Sequence, residues 1–167
     1  MSVTTTPFGS TARSSSVRCG HAALRRGRVS LQDGIYLVTA ATHGRIALFS
    51  DFHAARTASR CFEDPLVLGE TGMLAWVLMP DHAHWLVRLG GQTSLGVCIG
   101  RIKSASSRAV NRVCRRSGSV WAPAFHDHAL RAEEDVEAAA RYLVANPLRA
   151  GLVERIEDYP YWNAVWI

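Results

Sequence analysis

The chain has 167 residues, is 48% hydrophobic and carries a formal charge of +5. A chain of that size fits one domain that buries roughly 68–70% of its unfolded surface, enough for a core without staples. Four cysteines (Cys19, Cys61, Cys98 and Cys114) with no C-x-x-C pair argue against a zinc ribbon or disulfide scaffold and fit a reducing cytoplasm. No apolar run approaches the ~20 residues that span a bilayer, so no membrane partner is expected.

Lys103 is the single lysine among the 19 cations; the rest are arginine. The planar guanidinium suits bidentate phosphate contact and stacking on bases. Codon bias in a GC-rich genome accounts for the same excess equally well. Residues 1–32 contain no acid, and they read as a flexible basic arm over 1–24 followed by a single domain over 25–167.

Ile35–Ala41 (IYLVTAA) follows the Asp33-Gly34 turn signal and is rich in β-formers, which predicts a strand. Ser50 or Asp51 caps a helix over Phe52–Phe62, broken by Pro65 and Gly69. The continuous apolar run Gly72–Met79 reads as a buried strand. Beyond Pro80-Asp81, His82–Leu89 is a second strand, and the short connection makes the two an antiparallel hairpin. Thr93 or Ser94 caps a long helix running to about Arg116, with apolar residues at helical spacing. A short strand is expected within Val120–Leu130. The last helix starts at Ala132, with Glu133, Glu134 and Asp135 in its first turn, and Asn146-Pro147 bends or stops it. The order β-α-β-β-α-β then α predicts an α+β domain with a ferredoxin-like antiparallel sheet and an added C-terminal helix.

Three features carry chemistry. Residues i and i+2 of a strand point to one face, so His82 and His84 stand side by side as half of a metal site. Alone, an H-x-H pair is as readily incidental, and His126 and His128 repeat the spacing. Tyr142 and Asn146, at i and i+4, share a helix face; a core aromatic and a helix cap before proline is the plainer account. The long helix carries Arg101, Lys103, Arg108, Arg112, Arg115 and Arg116 with no acid between residues 93 and 116, a phosphate-tracking surface. No G-x-x-x-x-G-K-[ST], G-x-G-x-x-G or G-x-S-x-G is present, so no nucleotide cofactor and no serine hydrolase is expected.

Taken together, MPDHAHWLV (Met79–Val87), VWAPAFHDHALR (Val120–Arg131) and ARYLVANPLRAGLV (Ala140–Val153) resemble the single-tyrosine HUH transposases, REP-associated tyrosine branch. The resemblance runs from about residue 26 to Trp166. It implies that His82 and His84 bind a divalent cation, Mg2+ or Mn2+, with Asn146 as a third ligand. It implies that Tyr142 attacks a scissile phosphate to give a 5′-phosphotyrosine. The implied partner is a single-stranded DNA hairpin formed by palindromic repeats, held by Arg101, Lys103, Arg108, Arg112 and Arg115 and by Arg25, Arg26 and Arg28 at the arm. A monomer is expected rather than a dimer. Two other readings stay open: a hairpin-binding module without catalysis, and a metal-dependent hydrolase using His82, His84, His126 and His128.

Overall fold

A computed structural model describes residues 33–131 and 134–166. The basic arm, the domain start near residue 25, and Arg25, Arg26 and Arg28 lie outside the described residues.

Strand β1 (Ile35–Ala41) alternates between buried and half-buried positions, as a strand in a two-faced sheet does. Helix α1 (Phe52–Arg60) begins at Asp51, whose carboxylate accepts from the Ala54 amide. Of the two expected caps, the residue nearer the helix is used. A further turn of helix, α2 (Pro65–Leu68), follows where only a break was expected. Asp64 caps it, Pro65 opens it with its preset φ, and Gly69 ends it at φ +62°. Strands β2 (Gly72–Met79) and β3 (His82–Arg88) form the hairpin across Pro80-Asp81.

Helix α3 (Leu95–Val113) is capped by Ser94 and stops short of Arg116; Arg115 lies in the left-handed region at φ +49°, which ends the helix. Strand β4 (His126–Ala129) follows. Helix α4 (Val136–Val144) starts four residues later than the expected Ala132. Asp135 caps it by accepting from the Ala138 amide, so this acid stands at the cap rather than inside the first turn. A separate turn, α5 (Asn146–Arg149), comes next, because Pro147 has no amide proton to continue the ladder. The last strand among the described residues is β5 (Trp162–Ala164), too short for its alternation to show in the sequence.

The sheet order is β4-β1-β3-β2-β5, with antiparallel pairing throughout. The first four strands, with α1 and α3 as connections, make the expected ferredoxin-like arrangement, and β5 extends it at the β2 edge. One face of the sheet, bearing Val38, Ala40, Trp76, Leu78, Ala83, Trp85 and Val87, packs on α1 and α3. The opposite face, bearing Ala75, Val77, Met79 and Leu86, packs on Ala140, Leu143 and Val144 of α4.

Candidate active site

His82 and His84 lie on the second face, the one α4 covers, because β3 alternates and Ala83 and Trp85 take the other side. Cross-strand neighbours on that face are Thr39 and Val77 beside His84, and Ala41 and Met79 beside His82. The two rings meet edge to face with centroids 4.8 Å apart. Each Nδ1 is engaged: Asp81 Oδ1 lies 2.6 Å from that of His82, and Thr39 Oγ1 lies 2.8 Å from that of His84. With the protons on Nδ1, both Nε2 lone pairs are left for a ligand, the arrangement in which outer partners orient metal-binding imidazoles.

The turn beneath the pair is anchored from the residues just past β1. The Thr42 hydroxyl donates to the Asp81 carbonyl at 3.0 Å, and Arg45 Nη1 reaches Asp81 Oδ2 at 3.2 Å. Burial alone would raise the Asp81 carboxyl, but the hydrogen bond and charge of His82, with Arg45, hold it below its ordinary value. Burial, then the charges of His82, Arg149 and Arg45, lower the His84 pKa to about 4. His84 is therefore neutral at neutral pH and its lone pair is available.

Tyr142 is on α4, which packs across β2, β3 and β5, and its side chain is 62% exposed. Asn146 is not on the same helix but opens α5, and both ends of its amide are used. Nδ2 donates to the Leu143 carbonyl at 2.7 Å, the acceptor that Pro147 lacks a proton for, and Oδ1 accepts from Arg149 Nη2 at 2.8 Å. Arg149 also donates from Nη1 to the Tyr142 carbonyl at 2.8 Å, and its Cζ sits 3.8 Å from the Tyr142 ring centroid. A guanidinium stacked on Tyr142 thus acts electrostatically on His84.

The basic helix is elsewhere. Leu95, Cys98, Ile99, Ile102 and Val110 of α3 pack on the Trp85 side of the sheet, so Arg101, Arg108, Arg112 and Arg115 are exposed on the side away from the histidine pair. Lys103 donates to the Ala122 and Pro123 carbonyls at 2.5 and 3.2 Å, tying down the approach to β4. His126 and His128 share the face of His84 but sit on β4, with β1 between. Two strand spacings put them roughly 10 Å from β3, and His128 Nε2 pairs with Glu134 at 3.1 Å. Among the described residues no group of three or more His, Cys, Asp or Glu is placed to hold a metal. The four-histidine centre is therefore not assembled.

His82 and His84 fit a divalent cation: adjacent, oriented through Nδ1, and open at Nε2. Asn146 fits less well as it stands, because a cation already faces its Oδ1. The sequence reading missed Thr39, Asp81, Arg45 and Arg149. Two of them had a local signal: Asp81, next to His82 in the first motif, and Arg149, seven residues after Tyr142 in the third.

The fold and this face define a ferredoxin-like α+β domain with a histidine pair and a helix-borne tyrosine on one side of its sheet. The chain belongs to the family described as Transposase IS200 like, which matches residues 35–146. It is 28% identical over 88 residues to a REP-associated tyrosine transposase of Escherichia coli K12, covering 52% of this chain and 50% of that protein. A candidate REP-associated tyrosine transposase of Haemophilus influenzae Rd is 28% identical over 98 residues, covering 53% and 56%. The chain thus spans about half the length of the curated relatives it matches. A structure of a REP-associated tyrosine transposase bound to a REP hairpin shares the fold. Its TM-score is 0.63 at 22% identity, over 81% of this chain and 79% of that one. Among the described residues no helix is long and apolar enough to cross a membrane.

Proposed function

We propose that this protein cleaves and rejoins single-stranded DNA at hairpin-forming repeats, with Tyr142 as nucleophile. The observation that carries the reading is the shared face: the helix bearing Tyr142 docks on the side of the sheet where His82 and His84 stand. The relatives named as REP-associated transposases, and the fold neighbour whose structure holds a REP hairpin, support the substrate class.

In the proposed step the Tyr142 phenol oxygen attacks phosphorus in line. A P–O(Tyr) bond forms, the P–O3′ bond breaks, and the departing oxygen takes up a proton to become a 3′-hydroxyl. The 5′ end stays on the tyrosine. Attack by another strand's 3′-hydroxyl reverses the step, so the phosphodiester is conserved and no nucleotide cofactor is needed. An ordinary phenol, with a pKa near 10, is a weak nucleophile at neutral pH. A bound Mg2+ or Mn2+ would neutralise charge building on the phosphate. His82 and His84 would hold it through Nε2, oriented by Asp81 and Thr39, and Asn146 Oδ1 would be the third donor through its second lone pair, with the Arg149 contact kept. A monomer with the tyrosine acting in cis belongs to the same proposal, with the packing of α4 on its own sheet as its support.

Arg101, Arg108, Arg112 and Arg115 then hold backbone away from the reacting phosphate, across the sheet. Arg25, Arg26 and Arg28 belong to the same proposal, and replacing all three with alanine, or deleting residues 1–24 of the arm, is expected to weaken hairpin affinity. Unchanged affinity would remove the arm from the account.

The deciding experiment incubates the protein with single-stranded hairpin DNA from its gene's flanks and Mn2+, then scores covalent adduct on denaturing gels. Tyr142→Phe is expected to abolish the adduct while binding persists. Binding without adduct in the unaltered protein would leave a hairpin-binding module instead. Cleavage that survives Tyr142→Phe would point to a hydrolase.

A further inference from the structure

We infer that Arg149 is the positioning residue of the Tyr142 nucleophile, an inference that rests on the strand-transfer reading above. Tyr142 is 62% exposed, so little packing fixes its ring. Exposed side chains exchange rotamers on the ps–ns scale, and a phenol that must meet phosphorus in line needs a restraint. Arg149 supplies it. Its Cζ lies 3.8 Å from the ring centroid, within stacking range for a guanidinium on a phenol face.

What makes this a clamp rather than a passing contact is how Arg149 is itself held. One arm of the fork donates to the Tyr142 carbonyl and the other to Asn146 Oδ1, both at 2.8 Å. Asn146 is fixed in turn, since its Nδ2 satisfies the Leu143 carbonyl at 2.7 Å. The restraint therefore passes from the α4–α5 break to Asn146, then to Arg149, and then to the face of the tyrosine ring. The three points lie on α4 and α5, so the clamp exists before DNA arrives. A planar fork is required to stack and reach two acceptors at once, and a lysine ammonium cannot do both. The same geometry keeps a cation against Asn146 Oδ1, which opposes a divalent ion there in the DNA-free protein.

The test uses the full chain with a saturating hairpin oligonucleotide and Mn2+ under single-turnover conditions. Arg149→Ala and Arg149→Lys are both expected to slow adduct formation by about 10- to 100-fold, the range for a misplaced reacting group. Hairpin affinity is expected to hold. Mn2+ binding to DNA-free protein, followed by the manganese EPR signal, is expected to be no weaker than in the unaltered protein. A general loss of structure would lower all three. Independently of activity, the Arg149 Nε–H signal in 15N NMR is expected to lie in the ring-current range and to move on Tyr142→Leu. A wild-type adduct rate in Arg149→Lys would overturn the clamp, and so would an Nε–H signal indifferent to Tyr142→Leu. If Arg149→Ala fails to fold, the lysine variant and the NMR pair still decide. If the unaltered protein forms no adduct, the strand-transfer reading falls, and the NMR result judges the clamp as architecture alone.

Discussion

The two faces of one sheet are built differently. The α1/α3 side is an aromatic core in which Phe62, Trp76, Trp85 and Trp121 pack as edge-to-face pairs, Phe49 lies tilted on Trp121, and Trp85, Ile99 and Ile102 are fully buried. The α4 side uses smaller residues, Ala75, Val77, Ala140 and Ala164, and leaves two half-buried histidines beside the single covering helix. The first face carries stability. The second keeps polar groups wet enough to act and close enough to be aimed, which is where the chemistry is proposed to occur. The nearest cations divide the same way: Arg45 and Arg149 act on the histidine face, while the α3 arginines stand behind the core.

Four substitutions test that division, beginning with the largest effect. Trp85→Ala empties the centre of the aromatic face and is expected to cost about 3–5 kcal/mol. Denaturant unfolding measures this, and a loss below about 1 kcal/mol would show that the aromatic cluster is not the stabilising core. Leu143→Ala removes the main apolar anchor of α4 and is expected to cost about 2–3 kcal/mol. Here adduct formation should fail at temperatures where the circular dichroism of the sheet persists. Coincident loss of both would mean that the faces are not separable.

Thr39→Val removes the Nδ1 partner of His84 without changing side-chain volume much. Mn2+ affinity is expected to fall by about 10-fold, the lower end for losing an outer-sphere partner, with the melting temperature nearly unchanged. The smallest effect concerns the C-terminal strap. Tyr159 donates to the Leu78 carbonyl at 2.7 Å, and burial, then the charge of Tyr161, push its pKa up to about 12. A phenol raised above its unfolded value near 10 contributes stability that is complete below pH 10 and lost as pH climbs toward 12. Tyr159→Phe should cost about 1 kcal/mol at neutral pH and flatten that alkaline decline. An unchanged slope between pH 10 and 12 would remove Tyr159 as its source.

Much of this architecture is legible in local pattern. The strands Ile35–Ala41 and Gly72–Met79 match their expected bounds, and Ser94 is the one of the two expected caps, Thr93 or Ser94, that is used. Strong local signals sufficed there: β-formers behind a turn, a continuous apolar run, a hydroxyl before helical spacing. The start of α4 was misplaced because Glu133, Glu134 and Asp135 are all acceptable near a helix start, and only one can cap it. Strand β5 was missed because three residues carry no period; its partners Ala75–Val77 lie some 90 positions earlier. That His82 and His84 share a face was legible by period alone; Asp81 stands next to His82 within the first motif, while Thr39 was not legible, since a cross-strand partner has no fixed sequence distance.

For His82, His84 and Tyr142 the same boundary holds. That the imidazoles share a face follows from the two-residue repeat of a strand, and that Tyr142 rides a helix follows from the alanine-rich run around it. Neither repeat says which side of the sheet the helix will take. That was decided by packing: the apolar stripe of α3 fills the Trp85 side with α1, and α4 meets the small residues opposite, beside the histidines. The same docking sends the basic helix behind the core. Side-chain geometry then brings Arg149 onto the tyrosine ring, through contacts that depend on the break at Asn146-Pro147. Local sequence determines what each element presents; only the fitting of surfaces distant in the chain determines what it presents it to.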